Sequence, residues 1–468
     1  MSHAKGFETL DNQIAVDDLP VEGRVPTWLT GQLLRTGPAR FEVGEDAYNH
    51  WFDGLAMLHG FGFADGRVSY ANRFLESDAY TEAERAGSIV RPEFGTDPCV
   101  SIFKRAMQIF SPPEATDNAS VNIARLADEY VALTETPIPV VFDNETLETV
   151  DHFDFDDGLE GDMTTAHPHV DFERGETYNY VTKFGSTCSY NVYRQPRESR
   201  NRRLVASIDV GKPRYMHSFA MTENYVVLTE FPLTLDPLEL LVSDGPFAEL
   251  MRWEPEHGTR FQVIDKRTGE VTGKATTEAF FSFHHVNAWE NAEGELVVDL
   301  AAYPDADLIE RLYLDELRRA EPGLDGGRLQ RFRLGPDGSD LRGETLSEEN
   351  IELPRINYEA HNGRRYRYVW GTGGRDDSDF LDEIVRIDTN DGSSETWREP
   401  NTYPGEPVFV ARPDARAEDD GVLLSVVLDG DASRSFLLIL DAATLEEVGR
   451  AAVPHHIPFG FHGAYFED

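Results

Sequence analysis

The sequence predicts an all-β protein, and within that class a β-propeller with only a few helices. Three observations carry this. Short runs rich in β-branched and aromatic residues recur from end to end, bounded by Gly, Asp, Asn and Pro. One hairpin pattern repeats along the chain. Helical periodicity is confined to a few segments.

The strands come first. Tyr130-Val-Ala-Leu-Thr, Tyr178-Asn-Tyr-Val-Thr-Lys, Tyr225-Val-Val-Leu-Thr, Leu296-Val-Val-Asp-Leu, Tyr366-Arg-Tyr-Val-Trp and Gly421-Val-Leu-Leu-Ser-Val-Val-Leu have strand composition. Turn signals such as Ala64-Asp-Gly, Asn291-Ala-Glu-Gly and Asn390-Asp-Gly separate them. The repeated hairpin ends a strand on Asp, turns, and starts the next strand. It occurs at Phe142-Asp-Asn-Glu-Thr-Leu-Glu-Thr-Val, Ile264-Asp-Lys-Arg-Thr-Gly-Glu-Val, Ile387-Asp-Thr-Asn-Asp-Gly and Leu440-Asp-Ala-Ala-Thr-Leu-Glu-Glu-Val. Such hairpins are common in propeller blades. The repeat is too degenerate to count the blades. Helix is expected over Asp307 to Ala320, which stops before Pro322-Gly323, over Pro98 to Phe110, and over the apolar segment Leu235 to Trp253.

Of 468 residues, 40% are hydrophobic and 11% aromatic, enough for a large core and against disorder. Acidic residues number 85 against 43 basic, a net charge of −42. The excess is diffuse, and lysine is scarce beside arginine. Self-repulsion on this scale destabilises a fold in dilute buffer, and concentrated salt screens it. The chain reads as halophilic, adapted to a salt-loaded cytosol. Nothing offsets phosphate repulsion, so nucleic acid is excluded as a partner. Cys99 and Cys188 are the only cysteines and form no CxxC pair, which argues against a thiolate zinc site or a disulfide framework. The N-terminus has no signal-peptide core, and no apolar run reaches membrane-spanning length. A cytoplasmic protein, with any membrane contact peripheral, is expected.

Chemistry is expected at four of the 14 histidines. His167 lies in Met163-Thr-Thr-Ala-His-Pro-His, His217 in Tyr215-Met-His-Ser-Phe-Ala, His284 in Phe281-Ser-Phe-His-His-Val, and His462 in Pro458-Phe-Gly-Phe-His-Gly. Each has apolar or aromatic neighbours at an expected strand end or turn, a setting in which a polar ring needs a reason. In a propeller the inner strands converge on an axis, so residues distant in sequence meet there. Neutral imidazole suits Fe, Zn, Cu and Ni. Four imidazoles without a carboxylate fit a ferrous ion with open positions. A ligating imidazole usually donates its second N–H to an outer partner. Glu135, Glu352 and Glu406, each followed by proline within two residues in an apolar segment, qualify for that part.

At these residues the chain resembles the carotenoid cleavage oxygenase family. The match starts at Gly31-Gln-Leu-Leu-Arg-Thr-Gly-Pro and His50-Trp-Phe-Asp-Gly-Leu-Ala-Met-Leu-His and ends at Gly460-Phe-His-Gly. The resemblance implies a single seven-bladed β-propeller domain over residues 1–468, with a few helices capping the active-site face. It implies Fe(II) held by His167, His217, His284 and His462, rather than by the neighbouring His169 or His285. It pairs Glu135 with His217, Glu352 with His284 and Glu406 with His462, and leaves His167 without a glutamate. His455 and His456 are left as structural residues.

Phe94-Gly-Thr-Asp-Pro-Cys-Val-Ser-Ile-Phe and Thr116-Asp-Asn-Ala-Ser-Val-Asn resemble the animal branch, which holds the β-carotene oxygenase and the retinal pigment epithelium isomerohydrolase. The chain runs directly from Thr96 to Asp97 where that branch has extra residues. Positions matching Phe94, Thr134 and Tyr215 line the branch's substrate tunnel. Pro98 to Phe110 and Phe231 to Trp253 match an apolar rim for peripheral membrane contact. Cys99 matches a position open to lipidation.

The implied reaction is O₂-dependent cleavage of a carbon–carbon double bond of a carotenoid or apocarotenoid to aldehydes, with β-carotene to retinal as the first candidate. Retinoid isomerohydrolase chemistry and stilbene cleavage on the same iron stand as alternatives, and so does a non-catalytic propeller scaffold without metal.

Overall fold

The computed structural model describes residues 2–98, 115–242, 245–319, 324, 326–375 and 378–467. Cys99 and nearly all of the Pro98 to Phe110 segment, with the helix and rim expected there, lie outside the described residues.

The described chain is dominated by antiparallel sheets, as expected. There is a five-stranded sheet centred on Gly31–Arg40 and Leu55–Ala64, and a four-stranded sheet over Asn122–Leu126 to Thr149–His152. A five-stranded sheet is built on Glu176–Lys183, and a four-stranded one runs from Ala220–Met221 to Val271–Thr277. A seven-stranded sheet runs from His285–Glu290 to Ser394–Trp397, and a six-stranded sheet is built on Gly421–Asp429. The seven-stranded sheet has a register break in its central strand Arg342–Arg355, between Glu352 and Arg355.

The two ends of the chain are stitched together twice. Gly463–Phe466 pairs with Gly31–Arg40, and Val21–Gly23 pairs with Glu447–Ala452. Strands from the two ends of the described chain therefore share sheets, which ties its termini together.

The repeated hairpin has a local physical cause. Asp143 Oδ1 accepts the backbone N–H groups of Glu145 and Thr146 at 3.0 and 2.8 Å. Asp265 does the same for Arg267 and Thr268, and Asp441 for Ala443 and Thr444. Leu147, Gly269 and Leu445 then take positive φ, and the register slips by one residue as the second strand begins. The aspartate organises the turn, and the left-handed residue makes the bulge that twists the hairpin.

The helices differ from expectation. Asp307 to Ala320 does not form one helix; it breaks into Leu308–Arg311 and Leu314–Leu317. Tyr313 between them is extended, because the backbone here pairs across to residues 49–51: Trp51 N–H donates to Leu312 and Leu314 N–H to Asn49. Leu235 to Trp253 is mostly not helical either. Leu233–Leu235 and Met251–Trp253 pair as a hairpin, with the short helix Pro237–Val242 and a 3₁₀ turn Phe247–Leu250 between them. The periodicity rule missed helix Asp78–Ala86, capped by Ser77 at its start and by left-handed Gly87 at its end. The short pieces at 247–250 and 308–317 pack against the segment carrying Phe52 and Phe94, through Ala248 N–H to Phe94 and the 49–51 pairing. No helix among the described residues is long and apolar enough to cross a membrane.

Candidate metal centre

Each of the four histidines immediately precedes, or lies within three residues of, an edge strand of a different sheet. His167 precedes His169–Asp171, His217 precedes Ala220–Met221, His284 precedes His285–Glu290, and His462 precedes Gly463–Phe466. The chain leaves regular pairing just where these rings turn inward, so the backbone can aim them at one point.

They meet there. One nitrogen from each ring lies within 4.8 Å of the others. Nε2 of His167 and His217 are 3.0 Å apart, and Nε2 of His284 and His462 are also 3.0 Å apart. Hydrogen bonds tie the loops to one another. Thr165 Oγ donates to the His217 carbonyl and accepts the His167 N–H. Ser218 Oγ donates to the Phe283 carbonyl at 2.6 Å and accepts the His285 N–H at 3.0 Å.

The three glutamates stand behind the rings in the expected pairs. His217 Nδ1 is 2.7 Å from Glu135, His462 Nδ1 is 2.8 Å from Glu406, and His284 Nδ1 contacts Glu352. Among the described residues, His167 has no glutamate as a hydrogen-bond partner. Each glutamate is itself held: Glu135 by the Tyr215 hydroxyl at 2.8 Å, Glu352 by the Tyr303 hydroxyl, and Glu406 by Gly463 N–H at 2.9 Å. Arg355 lies 3.6 Å from Glu406.

The electrostatics favour neutral rings. Burial pushes His462 down to about 4, only partly opposed by Glu406. Burial lowers His217 against the pull of Glu135, and burial plus the three other rings holds His167 well below the ordinary histidine range. Burial would raise Glu406, but Arg355, His462 and Arg35 hold it at about 2. Glu352 is lowered against its burial by His284 and Tyr303.

The donor set fits a metal cation. A histidine that gives its Nδ1–H to a carboxylate keeps only a lone pair at Nε2. His284 and His462 both do so, and their Nε2 lone pairs face each other at 3.0 Å. Two facing lone pairs repel, and a cation between them converts that repulsion into ligation.

The neighbouring histidines are accounted for differently. His285 bonds Ser218 and Thr229, each at 2.8 Å. His169 bonds Tyr358 and the Phe219 carbonyl. His455 and His456 bond backbone carbonyls. A second cluster of possible ligands, Asp78, Asp117 and His152, reads as a helix cap. Asp117 there is occupied by the N–H groups of Asp78 and Ala79, by His152, and by Arg91 at 3.6 Å.

An aromatic wall stands beside the rings. Phe283 is 5.2 Å from His217 between ring centres, and Phe52 packs on Phe94, Phe283 and Phe461 at 5.2, 6.0 and 5.1 Å. Phe94 is half-buried and also meets Tyr215 at 6.2 Å. Thr134 is half-buried beside Glu135. Tyr215 is 1% exposed, with its hydroxyl committed to Glu135. Sequence reasoning did not single out Phe52, Phe283, Phe461, Tyr303 or Arg355. Phe283 and Phe461 each directly precede a cluster histidine, a signal that could have flagged them. Nothing in the local sequence marks Tyr303 or Arg355.

The comparisons with known proteins identify the family. Residues 7–467 match the family model described as retinal pigment epithelial membrane protein. The "Carotenoid-cleaving dioxygenase, mitochondrial" of Mustela putorius furo is 38% identical, over 98% of this chain and 95% of that protein. The human "Beta,beta-carotene 15,15'-dioxygenase" is 35% identical, over 96% of this chain and 92% of that one. A cobalt-substituted apocarotenoid oxygenase of Synechocystis superposes with a TM-score of 0.88 at 27% identity, over 100% of this chain and 98% of that one. With its histidine cluster and its match along nearly the whole length, the chain belongs to the retinal pigment epithelial membrane protein family of carotenoid cleavage oxygenases.

Proposed function

We propose that this protein is a non-haem Fe(II) dioxygenase that cleaves a carbon–carbon double bond of a carotenoid or apocarotenoid, giving two carbonyl products. The observation that carries the reading is the convergence of four imidazole nitrogens, three of them backed by carboxylates, beside an aromatic wall. Imidazole suits iron among other transition metals, and four such donors with no carboxylate among them would hold a ferrous ion with positions left open.

When bound, Fe(II) supplies the position at which O₂ is activated towards the alkene. The chain's own residues do the rest. Glu135, Glu352 and Glu406 fix the tautomer and aim of His217, His284 and His462 and raise their basicity. Phe52, Phe94, Phe283 and Phe461 offer flat apolar faces that suit a conjugated chain and exclude water. Thr134 and Tyr215 stand with Phe94 as candidate substrate contacts. Holding one bond of a near-repetitive polyene against the centre is a positioning task, which a rigid wall performs.

A single unit over 1–468 with seven blades goes with this reading; the register break at Glu352, which would divide the seven-stranded sheet into two blades, supports that count. The substrate lives in bilayers, so peripheral membrane contact goes with the reading. Leu238, 72% exposed on Pro237–Val242, lies within the segment that the family resemblance assigns to that rim. A cytosolic position on the inner membrane face and a high-salt environment complete the proposal.

The test is an aerobic assay in concentrated salt, with iron-loaded protein, β-carotene in detergent, mass spectrometry and an anaerobic control. Oxygen-dependent aldehydes are expected, and their lengths identify the bond; retinal alone means central cleavage. Product formed equally without O₂ from a retinoid ester would replace the reading with isomerohydrolase chemistry. Aldehydes from stilbenes alone would change the substrate class. Protein that binds no iron would reject the enzyme reading in favour of a scaffold.

A further inference from the structure

Next to Glu406, through its neighbour Gly405, lies a small cavity lined by Arg35, Thr36, His59, Gly405, Ile457 and Phe459 among others. Arg35 comes from Gly31–Arg40 and is 6% exposed. Its Nη1 has no hydrogen-bond partner among the described residues, and its Nη2 reaches only the Phe461 carbonyl, at 3.5 Å. A buried guanidinium with an idle N–H is costly, and such a group calls for an explanation.

The local charge balance sharpens the point. Arg35 and Arg355 both act on one carboxylate, Glu406. The oxygens of Glu406 are taken by His462 Nδ1 at 2.8 Å, Gly463 N–H at 2.9 Å and Arg355 at 3.6 Å. Arg35 makes no hydrogen bond to Glu406 among the described residues. Two guanidinium charges thus share one carboxylate, next to a site built for a cation. The cavity measures about 20 Å³. Room for one water-sized particle starts at about 10–15 Å³, so the space takes one particle somewhat larger than that and no organic ligand. Glycine keeps the space open: a Cβ on Gly405 would stand 3.4 and 3.5 Å from Nη2 and Nη1 of Arg35.

We propose that the Arg35 cavity is a halide site, in which one chloride-sized anion accepts the idle Nη1–H of Arg35 and balances the excess positive charge behind Glu406 and His462. The site is independent of the reaction assigned above: it requires only the packing of Gly31–Arg40 against Gly405 and the 457–460 loop. It also gives the protein a specific use for the anion of the concentrated salt its surface calls for.

The deciding measurement is diffraction at the bromine absorption edge from crystals of the full chain transferred from sodium chloride to sodium bromide. An anomalous peak within hydrogen-bond distance of Arg35 Nη1 is expected. A peak with no anomalous signal there, which is water, overturns the proposal, as does no peak. In solution, the melting temperature at constant sodium should rise saturably when gluconate, too large for the cavity, is replaced by chloride. The saturable part should vanish in Arg35→Met and in Gly405→Ala, the second retaining the arginine should the first fail to fold. A chloride response that persists unchanged in Gly405→Ala refutes the site.

Discussion

Glu406→Gln separates two tasks that the structure gives one carboxylate. Glu406 is fully buried, receives the Nδ1–H of His462, and is the counter-charge to Arg355 and Arg35. The amide is nearly the same shape and can still accept from His462, so the ring stays aimed. The charge, however, is gone. Breaking a buried ion pair from one side costs about 3–5 kcal/mol. In a chain of this length a kcal/mol moves the melting temperature by about 1–2 °C, scaling from smaller domains, so a fall of roughly 5 °C is expected. Weakening an outer partner of a metal ligand lowers metal affinity about 10–100-fold.

Glu135→Gln is the internal control. Glu135 also backs a ring, His217, but its second partner is the Tyr215 hydroxyl; among the described residues no guanidinium or ammonium is paired with it. It should show the affinity loss with a melting shift under about 2 °C. The assays are thermal melts of the metal-free proteins and competition of bound iron with a chelator. Equal melting shifts in the two variants would refute the assignment of Glu406 as the counter-ion of the arginine pair.

Three further outcomes follow from the same geometry. His284→Ala should abolish metal retention with the fold intact, whereas His285→Ala, which loses the bonds to Ser218 and Thr229, should cost about 2–4 kcal/mol and keep the four-ring set; metal analysis and melts on both variants check this. The metal-free protein should lose stability as pH falls from 6.5 towards 4. His462 is held at about 4 in the fold, so the unfolded chain binds more protons throughout that window; a flat melting profile across it would contradict the burial argument. Because the chain carries a net charge of −42, its melting temperature should climb steeply between about 0.1 and 1 M salt, where the Debye length falls from about 10 to 3 Å. Equal stability at both ends would remove charge repulsion as the reason for a salt requirement.

What was legible in the sequence divides along a physical line. The hairpins were readable because their cause is local: an aspartate two or three residues from the N–H groups it caps makes the same turn at Asp143, Asp265 and Asp441. The cluster histidines were readable because each is a polar ring amid aromatic neighbours, an anomaly in its own segment. Helix Asp307 to Ala320 was misread because its apolar spacing is real, but residues 312–314 make backbone bonds to 49–51, some 260 positions away. The residues that steady the glutamates were missed for the same reason. Tyr303 meets Glu352 across an intervening strand of one sheet, and Arg355 meets Glu406 only where two sheets pack together; neither residue is unusual where it stands.

The same division bears on how the centre tolerates change. An inner imidazole is irreplaceable by its chemistry. An outer hydroxyl or guanidinium is defined by where packing delivers it, so a different residue arriving at the same point can do its work. Glu135 is steadied by a tyrosine two positions before the ring it serves, Glu352 by a tyrosine from another strand's end, and Glu406 by a backbone N–H and an arginine. Three different solutions steady three equivalent carboxylates within one protein. The requirement therefore lies on the carboxylate's position, and Tyr303→Phe should loosen Glu352 without removing the metal: a small fall in iron affinity, well short of the 10–100-fold expected when the carboxylate itself is altered. A loss as large as that of Glu352→Gln, measured by the same chelator competition, would show that the tyrosine is part of the requirement.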